Sequence, residues 1–394
     1  MSHVMNTYAR QPVAFVRGQG VWLWDEAGKK YLDALAGIAV NTLGHHHPRL
    51  VHALTEQIGR VIHTSNLFQQ PLQEAAADRV AEITGLDEVF FCNSGLEANE
   101  AAIKVARKYG HDRGVKEPAI IVMEKAFHGR SLATLSASGS RKVQAGFEPL
   151  VSGFVRVPLN DLDAVRRVAE HNRNVAAVMV EPIQGEGGIL LSRMEYLRGL
   201  QEICERNQWL FISDEVQCGL GRTGKWFVYQ HAGVMPDVVP LAKGLGSGVP
   251  VGACVAGGRA RGVFKPGNHG STLGGNPHAM TAVVTTIDAM KDEGLLAYAA
   301  RVGELMLESL KSQLGRAAGV AEIRGMGLMI GVELERACGE LVKDALDAGL
   351  VINVTADNVI RMLPPMVMSE QEGREAVRRL VPLVKAFLDK RAAA

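Results

Sequence analysis

Residues 209–250 read WLFISDEVQCGLGRTGKWFVYQHAGVMPDVVPLAKGLGSGVP and contain two short apolar runs that each end on a charged residue. WLFIS (209–213) leads into Asp214, and VVPLA (238–242) leads into Lys243. Short, continuous apolar runs bounded by turn-forming residues are typical of strands buried in a parallel sheet. Because parallel strands bring their carboxyl ends to one edge of the sheet, where ligands bind, the pattern predicts a site that contains both charged groups.

The same pattern continues on both sides of this stretch. Further apolar runs are VFFC (89–92), AIIVM (119–123), AAVMV (176–180) and VGACVA (251–256). Helical patterns lie between several of them, for example at 97–108 and 197–207. Strands that alternate with helices predict an α/β fold with a mainly parallel sheet and helices on both faces. We expect this large domain to span residues 60–310.

The two ends of the chain have different patterns. VWLWDEAGKKYL (21–32) alternates apolar and polar residues around a turn at 26–28, which predicts a hairpin. From residue 328 onward the pattern predicts a strand, a helix, a second strand and a final helix, without the βα alternation of the central region. We therefore expect a small α+β domain made of residues 1–59 and 311–394.

Composition limits the class of protein. Of 394 residues, 47% are hydrophobic and 22% charged, which provides both a large core and a solvated surface. The formal net charge of +1 gives no general attraction to nucleic acid or anionic membranes, and no apolar run is long enough to span a bilayer. The five cysteines are dispersed, and the adjacent histidines at 45–47 are interpreted as a turn. We expect a cytoplasmic enzyme with no metal, no nucleic-acid partner and no membrane partner.

A glycine-rich segment offers an alternative of another class, a nucleotide-binding protein. GLGRTG (219–224) has the glycine spacing of a dinucleotide-binding turn, and with Lys225 it approaches a phosphate-binding loop. Both sites need a helix that begins inside the motif, whereas KWFVYQ (225–230) lacks helical periodicity. Trp226 also stands where a phosphate-binding loop has Ser or Thr. A structured glycine loop is the simpler interpretation.

The chemistry of the two charged residues narrows the function. A lysine that follows a buried strand loses hydration, which lowers the pKa of its amine and makes it a nucleophile toward carbonyl groups. Pyridoxal phosphate needs such a lysine for its aldehyde, an acid beside its pyridine nitrogen and a helix N-terminus for its phosphate. Lys243 and Asp214 provide the first two groups. The third is predicted at Ser94–Gly95, where a turn precedes a strongly helical segment.

Eight stretches, in order along the chain, resemble the class III aminotransferases that depend on pyridoxal phosphate. They are LGHHHP (43–48), FFCNSGLEANEAAIKVAR (90–107), FHGRSLATLSASG (127–139), EPIQGEGG (181–188), DEVQCGLGRTG (214–224), AKGLGSGVPVGA (242–253), HGSTLGGNP (269–277) and RMLPP (361–365). The resemblance covers essentially the whole chain. It implies a fold type I transferase with a seven-stranded, mainly parallel sheet in its large domain, and an active site at the interface of a homodimer.

For the cofactor, the resemblance implies pyridoxal 5'-phosphate held by residues of both subunits. Lys243 would hold the cofactor covalently and move protons, and Asp214 would pair with the pyridine nitrogen. Thr272 would reach the phosphate in the neighbouring subunit. The other implied contacts are the backbone N–H groups of Gly95 and Leu96 for the phosphate, Gln217 for the ring hydroxyl, and Phe127 and Val216 for the two ring faces. Leu96 departs from the small residue usual at its position, which changes the packing there but not its backbone donor.

For the substrates, the resemblance implies transfer of a terminal amino group from a small amino acid to 2-oxoglutarate. Arg361 would grip the α-carboxylate of glutamate or 2-oxoglutarate, and Glu186 would pair with Arg361 when the other substrate is bound. Arg130, with Ser271 beside it, would anchor the carboxylate of an acylated amino donor. Without the resemblance, surface ion pairs and a loop acid compete as interpretations of these charges. The expected donor is N2-acetyl-L-ornithine, and succinylornithine, N-succinyl-diaminopimelate, ornithine and 4-aminobutyrate remain as alternatives.

Overall fold

A computed structural model describes residues 3–390 of the chain. The strands are β1 (Phe15–Gln19), β2 (Trp22–Asp25), β3 (Lys30–Asp33), β4 (Glu88–Cys92), β5 (Ala119–Met123), β6 (Phe154–Val157), β7 (Val175–Val180), β8 (Ile183–Gln184), β9 (Leu190–Leu191), β10 (Leu210–Ser213), β11 (Val238–Leu241), β12 (Gly252–Ala256), β13 (Val320–Met326), β14 (Met329–Leu334), β15 (Leu350–Val351), β16 (Asn353–Thr355) and β17 (Val359–Met362). The helices are α1 (Ala36–Ala39), α2 (Pro48–Ile58), α3 (Pro71–Thr84), α4 (Gly95–Asp112), α5 (Leu132–Ala137), α6 (Arg141–Gln144), α7 (Leu162–His171), α8 (Met194–Asn207), α9 (Tyr229–Ala232), α10 (Pro277–Asp292), α11 (Leu295–Leu314), α12 (Leu341–Asp347) and α13 (Glu370–Asp389), with short 3₁₀ helices at Lys243–Leu245 and Gly258–Ala260. Among these residues, no helix has both the length and the apolar character that crossing a membrane requires.

A seven-stranded sheet forms the centre of the molecule, in the order β4-β12-β11-β10-β7-β5-β6. All neighbouring pairs are parallel except those made by β12, which runs antiparallel to both β11 and β4. The six predicted runs form β4, β5, β7, β10, β11 and β12, each within one residue of its predicted bounds. The predicted α/β fold with a mainly parallel sheet is therefore confirmed. The seventh strand, β6, was not predicted, because FVRV at the sheet edge is only partly buried and lacks a continuous apolar run.

Helices cover both faces of this sheet, which explains why its strands are apolar throughout. Along β5, Ile120 and Val122 pack with residues of α4, whereas Ile121 and Met123 pack with the apolar cluster of α3 and α8 on the other face. Successive side chains of a strand point to opposite faces, so both sets must be apolar when both faces are covered.

The two ends of the chain meet in a second region. The predicted N-terminal hairpin is present as β2 and β3, and β15 pairs in parallel with β3, with Leu350 opposite Leu32. Strands β13, β14, β17 and β16 form a four-stranded antiparallel sheet. Strands β14 and β17 and helices α12 and α13 correspond to the predicted C-terminal elements.

We retain as a proposal the division into a large domain, residues 60–310, and a small domain from both ends. One apolar cluster joins residues of β3, α11, β14 and α13, which supports a shared core for the ends. Because α11 packs on α13 and β13, it would belong with the small domain, and the boundary would move to about residue 294. Residues 1–2 and 391–394 of the proposed small domain lie outside the described residues.

The glycine segment 219–224 forms a buried turn rather than the start of a helix. After β10 the chain makes turns through this segment, and the next helix, α9, begins only at Tyr229. Arg222, at its centre, is buried and donates to the backbone carbonyls of Leu328 and Pro364. The segment thus connects the central region to the C-terminal sheet. It does not provide the strand–turn–helix geometry that a nucleotide phosphate needs.

The adjacent histidines lie in a turn before α2. His45 Nε2 lies 2.9 Å from Asp33 Oδ2, and His47 is the residue that precedes α2. Within residues 3–390, no group of three or more His, Cys, Asp or Glu side chains is arranged to hold a metal ion.

Candidate active site

The two charged residues that follow β10 and β11 meet in one cavity. These strands are parallel neighbours, with Ile212 opposite Val238, so their carboxyl ends lie at the same edge of the sheet. Asp214 and Lys243 both line a cavity of about 390 Å³ at that edge. A cavity of this size, mostly apolar with a few convergent charged groups, is typical of a site for a small molecule.

Asp214 is held in one orientation by three donors. It is only 2% exposed. Its Oδ2 accepts hydrogen bonds from Asn99 Nδ2 at 2.8 Å and His128 Nδ1 at 2.7 Å, and its Oδ1 accepts from the backbone N–H of Val216 at 3.0 Å. The arrangement therefore fixes the carboxylate in one orientation at the cavity.

Two further buried titratable residues surround this carboxylate. Burial opposes a charge on His128, but the hydrogen bond and charge of Asp214 outweigh it and raise the pKa of His128. Burial raises the pKa of Glu181 to about 7, and its Oε1 accepts from the backbone N–H of Phe127 at 2.7 Å. The sequence analysis did not select His128, Glu181 or Asn99. All three lie within matching stretches, but only the fold brings them to Asp214.

Lys243 has the environment of a reactive amine. It begins a 3₁₀ helix and has a φ of 47°, a left-handed conformation that is uncommon for a residue other than glycine and that is often found at functional sites. Burial lowers the pKa of its amine below the usual lysine value, and the charge of Arg361 adds to this effect. Within residues 3–390 no side chain or carbonyl accepts a hydrogen bond from its Nζ. The amine is therefore available to a ligand in the cavity.

The N-terminus of α4 forms the opposite wall of the cavity. Ser94 is the N-cap residue, and its Oγ accepts from the backbone N–H of Glu97 at 3.2 Å. The backbone N–H groups of Gly95 and Leu96 have no acceptor among the described residues, as expected at the first turn of a helix. Free N–H groups and the positive end of the helix dipole make this wall suited to a phosphate or other anion.

Glycine is required at the start of this helix for steric reasons. A Cβ atom built on Gly95 would lie 2.6 Å from Val216 Cγ1, which is inside the distance that real contacts allow. Val216 and Phe127 both line the cavity, together with Gln217. The structure thus brings seven predicted cofactor-binding residues to one cavity: Gly95, Leu96, Phe127, Asp214, Val216, Gln217 and Lys243.

Arg361 and Glu186 form a buried ion pair. Arg361 is fully buried, and its Nη1 donates to Glu186 Oε1 at 2.6 Å and to Gln217 Oε1 at 3.1 Å, while its Nε donates to Asn353 Oδ1 at 3.0 Å. Its Nη2 has no acceptor within residues 3–390. Burial would raise the pKa of Glu186, but the charge and hydrogen bond of Arg361 lower it below its usual range. The free Nη2 leaves one edge of the guanidinium available to a carboxylate.

A larger cavity, of about 1430 Å³, lies on the Glu186 side of this pair. Lys243, Phe127 and Arg130 line both cavities, and Glu186 lines the larger one. Arg130 is exposed, and its Cζ lies 5.6 Å from the centroid of the Phe127 ring. A ligand bound at Lys243 can therefore extend past Phe127 toward the cation of Arg130.

Ser271 and Thr272 lie away from both cavities within the subunit. The Ser271 Oγ accepts from Asn93 Nδ2 at 3.2 Å and from the backbone N–H of Gly274 at 3.0 Å. The Ser271 hydroxyl therefore closes a turn and contacts Asn93, and the role of Ser271 beside Arg130 stays a prediction. Thr272 is exposed on the surface.

Comparison with known proteins agrees with this geometry. A family model described as aminotransferase class-III matches residues 4–384. The chain is 56% identical over 391 residues to the acetylornithine aminotransferase of Nitrosomonas europaea, a match that covers 99% of this chain and 100% of that protein. It is 47% identical over 378 residues to the acetylornithine aminotransferase of Aquifex aeolicus, which covers 96% of this chain and 98% of that protein.

Solved structures share the fold over nearly the full length. The ornithine aminotransferase of Toxoplasma gondii superposes with a TM-score of 0.95 at 34% identity, covering 98% of this chain and 94% of that one. A second structure of that enzyme, with the same TM-score and identity and 99% and 94% coverage, contains PLP at partial occupancy in its active site. The acetylornithine aminotransferase of Elizabethkingia anophelis gives a TM-score of 0.89 at 34% identity, covering 98% of this chain and 96% of that one.

Proposed function

The chain belongs to the class III aminotransferase family, and we propose that it transfers the terminal amino group of N2-acetyl-L-ornithine to 2-oxoglutarate. The products are N-acetyl-L-glutamate 5-semialdehyde and L-glutamate. The enzyme is an aminotransferase of fold type I that depends on pyridoxal 5'-phosphate. The observation that carries the substrate proposal is the buried Arg361–Glu186 pair, whose Glu186 lines the outer cavity together with Lys243 and Arg130.

The residues of the inner cavity fit pyridoxal phosphate. The unpaired N–H groups of Gly95 and Leu96 would hold its phosphate, and the fixed carboxylate of Asp214 would hold its pyridine nitrogen. Phe127 would lie on one side of the ring. When bound, this cofactor supplies a carbonyl group that accepts amines and a ring that takes up electron density from the substrate.

Lys243 would move the proton during transfer. Burial lowers the pKa of its amine, which favours the neutral form, and in that form Nζ would take a proton from the amine-bearing carbon of the substrate. The same Nζ would then give this proton back to the joined substrate and cofactor, on the cofactor's side. The lining of the cavity, which is mostly apolar and includes Phe127, would limit the contact of water with this step.

Asp214 and His128 keep the electrostatic environment constant during this transfer. The carboxylate is buried and donors on both sides prevent it from rotating, so no reorganisation is needed when charge develops nearby. The raised pKa of His128 favours its positive form beside Asp214. The pair therefore holds a negative oxygen toward the cavity without leaving an isolated buried charge.

The ion pair at Arg361 solves the problem of two different substrates in one cavity. Glutamate presents an α-carboxylate near the reacting amine, and Arg361 can bind it through Nη2 and, after Glu186 moves away, through Nη1. Acetylornithine presents an uncharged chain there, and Glu186 then neutralises the cation. Arg130, farther out, would bind the distant carboxylate of acetylornithine. The acetyl cap removes the α-ammonium charge, so free ornithine must desolvate a cation that acetylornithine lacks.

Donor preference is the direct test of the substrate. We expect kcat/KM for acetylornithine to exceed that for ornithine and for 4-aminobutyrate by at least about tenfold, since a desolvated charge alone is worth that much. Steady-state assays with 2-oxoglutarate as acceptor and detection of glutamate would measure all donors, including the succinylated ones, in parallel. Faster turnover of ornithine or 4-aminobutyrate would assign the chain to a sister activity within the family.

Replacing Glu186 by glutamine tests the neutralising role. The change keeps the shape but removes the negative charge, so Arg361 stays positive when acetylornithine binds. We expect kcat/KM of the acetylornithine half-reaction to fall about tenfold, and that of the glutamate half-reaction to change less than about threefold. Single-turnover absorbance of the bound cofactor would measure each half-reaction separately. Glu202→Gln, at an exposed acid on α8, serves as the charge-matched control, and equal losses for both donors would remove the switch.

We further propose that the enzyme is a homodimer and that Thr272 serves the partner's cofactor phosphate. Four apolar side chains in the segments 62–68 and 271–274 are exposed: Ile62, Leu67, Phe68 and Leu273. Leu67 and Phe68 are 87% and 67% exposed. Asn66 Nδ2 donates to the carbonyls of Ser271 and Gly274 at 3.0 and 2.9 Å, so the two apolar segments are adjacent. An exposed apolar patch of this kind supports burial against a second copy.

Assembly can be measured directly. Sedimentation velocity of the wild-type protein should give a dimer, and Phe68→Glu should shift it toward the monomer and lower cofactor affinity together. Met235→Glu, which also places a charge at an exposed apolar residue, should leave the dimer intact. A fully active monomer at assay concentration would contradict the proposal.

A cytoplasmic place in arginine biosynthesis is part of the same proposal, supported by five buried cysteines without a disulfide.

A further inference from the structure

The loop that carries Glu186 lies across a row of residues on the C-terminal sheet. Strands β8 and β9 form a small hairpin, and residues 185–189 are its connection. On the C-terminal sheet, Gly331 of β14 is opposite both Arg324 of β13 and Arg361 of β17. Asn353 of β16 is opposite Arg361 on the other side. Residues directly opposite in antiparallel pairs project to the same face, so both arginines face the hairpin loop.

Arg324 holds the backbone of this loop. Its Nε donates to the carbonyls of Gly188 and Ile189 at 3.1 and 2.9 Å, and its Nη2 donates to the Gly188 carbonyl at 2.6 Å. On the other side, Thr355 Oγ1 donates to the carbonyl of Glu186 at 2.7 Å. The loop backbone is therefore fixed on both sides of the Glu186 side chain.

Arg324 is held by more hydrogen bonds, and is less exposed, than the Glu186 carboxylate that pairs with Arg361. Two carboxylates neutralise Arg324: its Nη1 donates to Glu322 Oε2 at 2.7 Å and to Glu333 Oε2 at 2.5 Å. The Arg324 side chain is only 9% exposed, and its fork spans carbonyls and carboxylates at once. Glu186 meets Arg361 through a single oxygen, and its side chain is 35% exposed. The carboxylate can therefore leave Arg361 while the backbone beneath it stays in place.

A glycine between the two arginines allows the loop to lie this close. A Cβ atom built on Gly331 would lie 3.0 Å from Ile189 Cβ and 3.2 Å from Ile189 Cγ1. Ile189 thus packs directly on the sheet between Arg324 and Arg361. The loop rests on the strands that carry both arginines. The row formed by Arg324, Gly331 and Arg361 therefore sets the distance between the loop backbone and Arg361, together with the β8–β9 hairpin.

We propose that Arg324 and Thr355 are positioning residues that determine substrate selectivity, by fixing the loop backbone so that the Glu186 side chain alone moves between paired and unpaired states. The inference rests on the proposed function, in which that movement distinguishes the two substrates. A fixed backbone makes the Glu186–Arg361 contact strong because little freedom is lost when it forms. A loose loop weakens the pair and leaves Arg361 free for carboxylates.

Two substitutions that leave the net charge unchanged test this role. Arg324→Lys keeps the charge but loses the fork, and Thr355→Val keeps the shape but loses the donor. For both variants we expect the ratio of kcat/KM for the acetylornithine half-reaction to that for the glutamate half-reaction to fall about tenfold. Arg336→Lys is the matched control, because Arg336 donates to the Phe387 carbonyl in the C-terminal region and makes no hydrogen bond to the loop 185–189 among the described residues.

A binding measurement separates this role from a purely structural one. Glutarate has the two carboxylates of 2-oxoglutarate without its keto group, so its Kd reports how accessible Arg361 is. We expect glutarate to bind at least about threefold more tightly to both variants than to the wild type, because Glu186 competes less for Arg361. Amide hydrogen exchange should also become faster at 185–189 and stay unchanged in the Arg336 control.

The outcomes distinguish the inference from the function beneath it. An unchanged selectivity ratio and unchanged glutarate affinity in both variants would overturn the positioning role. So would equal losses in both half-reactions accompanied only by a lower Tm, since these indicate a structural role. If the wild type itself does not react with acetylornithine, the proposed function fails, and glutarate affinity together with hydrogen exchange still decides whether Arg324 and Thr355 control access to Arg361.

Discussion

Replacing Lys243 by alanine is expected to lower kcat by more than about 10⁴-fold, because one amine serves both as nucleophile and as proton carrier. A positioned acid–base group alone contributes about 10²–10⁴-fold to the rate. The cavity contains this lysine at the end of β11, and its lowered pKa keeps the amine reactive. Steady-state turnover and single-turnover spectra of the variant would measure the loss. The fold should persist, because alanine at position 243 leaves no buried polar group without a partner.

Lys225→Ala is the matched control for this prediction. Lys225 is the lysine of the GLGRTGK segment, lies at the surface and donates to the carbonyl of Gln230. Its removal should change kcat less than about twofold, as for most exposed side chains away from a site. A large loss at Lys225 together with an active Lys243 variant would favour the nucleotide-binding alternative over the aminotransferase site.

Replacing Asp214 by asparagine is expected to lower kcat by about 10²–10³-fold, the range found when one preorganised electrostatic group is removed. The amide cannot provide a negative oxygen to a pyridine nitrogen, and its own N–H₂ group would face the donors of Asn99 or His128. Cofactor affinity should change much less, because Lys243 and the α4 N-terminus are untouched. Equilibrium dialysis and kcat would separate the two effects.

A second observable ties the Asp214 prediction to its physical cause. The charge of Asp214 raises the pKa of His128 against the effect of burial. Nitrogen-15 NMR titration should therefore find a lower pKa for His128 in Asp214→Asn than in the wild type. Asp163→Asn, at an exposed position of α7, should alter neither kcat nor this signal. Near-native kcat in Asp214→Asn would assign Asp214 to a structural turn.

The sheet and its two charged residues are predictable from sequence because both depend on local pattern. Each central strand is an uninterrupted apolar run, and Asp214 and Lys243 stand directly after two of them. The N-terminal position of α4 is likewise local, since Ser94 and Glu97 have the spacing of a capped helix. The edge strand β6 shows the limit of this approach, because partial burial leaves no continuous apolar run to detect.

The contacts that complete the site join residues far apart in the chain, and no local sequence pattern predicts them. His128 and Asp214 are 86 residues apart, and Arg324 and Gly188 are 136 residues apart. Arg324 acquires its role from strand register, because Gly331 places it in one row with Arg361. Ser271 makes contacts of both kinds, because its hydroxyl closes a local turn with Gly274 and also accepts from Asn93, which lines the inner cavity.

Mapping the covalent attachment point of the cofactor on the wild-type enzyme tests whether Lys243 is the lysine that holds it. Borohydride fixes a lysine-linked pyridoxal phosphate irreversibly, and proteolysis followed by mass spectrometry then identifies the modified peptide. We expect a single adduct on the peptide that contains Lys243, formed only when the cofactor is present. An adduct on another lysine, or reduced protein without any adduct despite full occupancy, would contradict it.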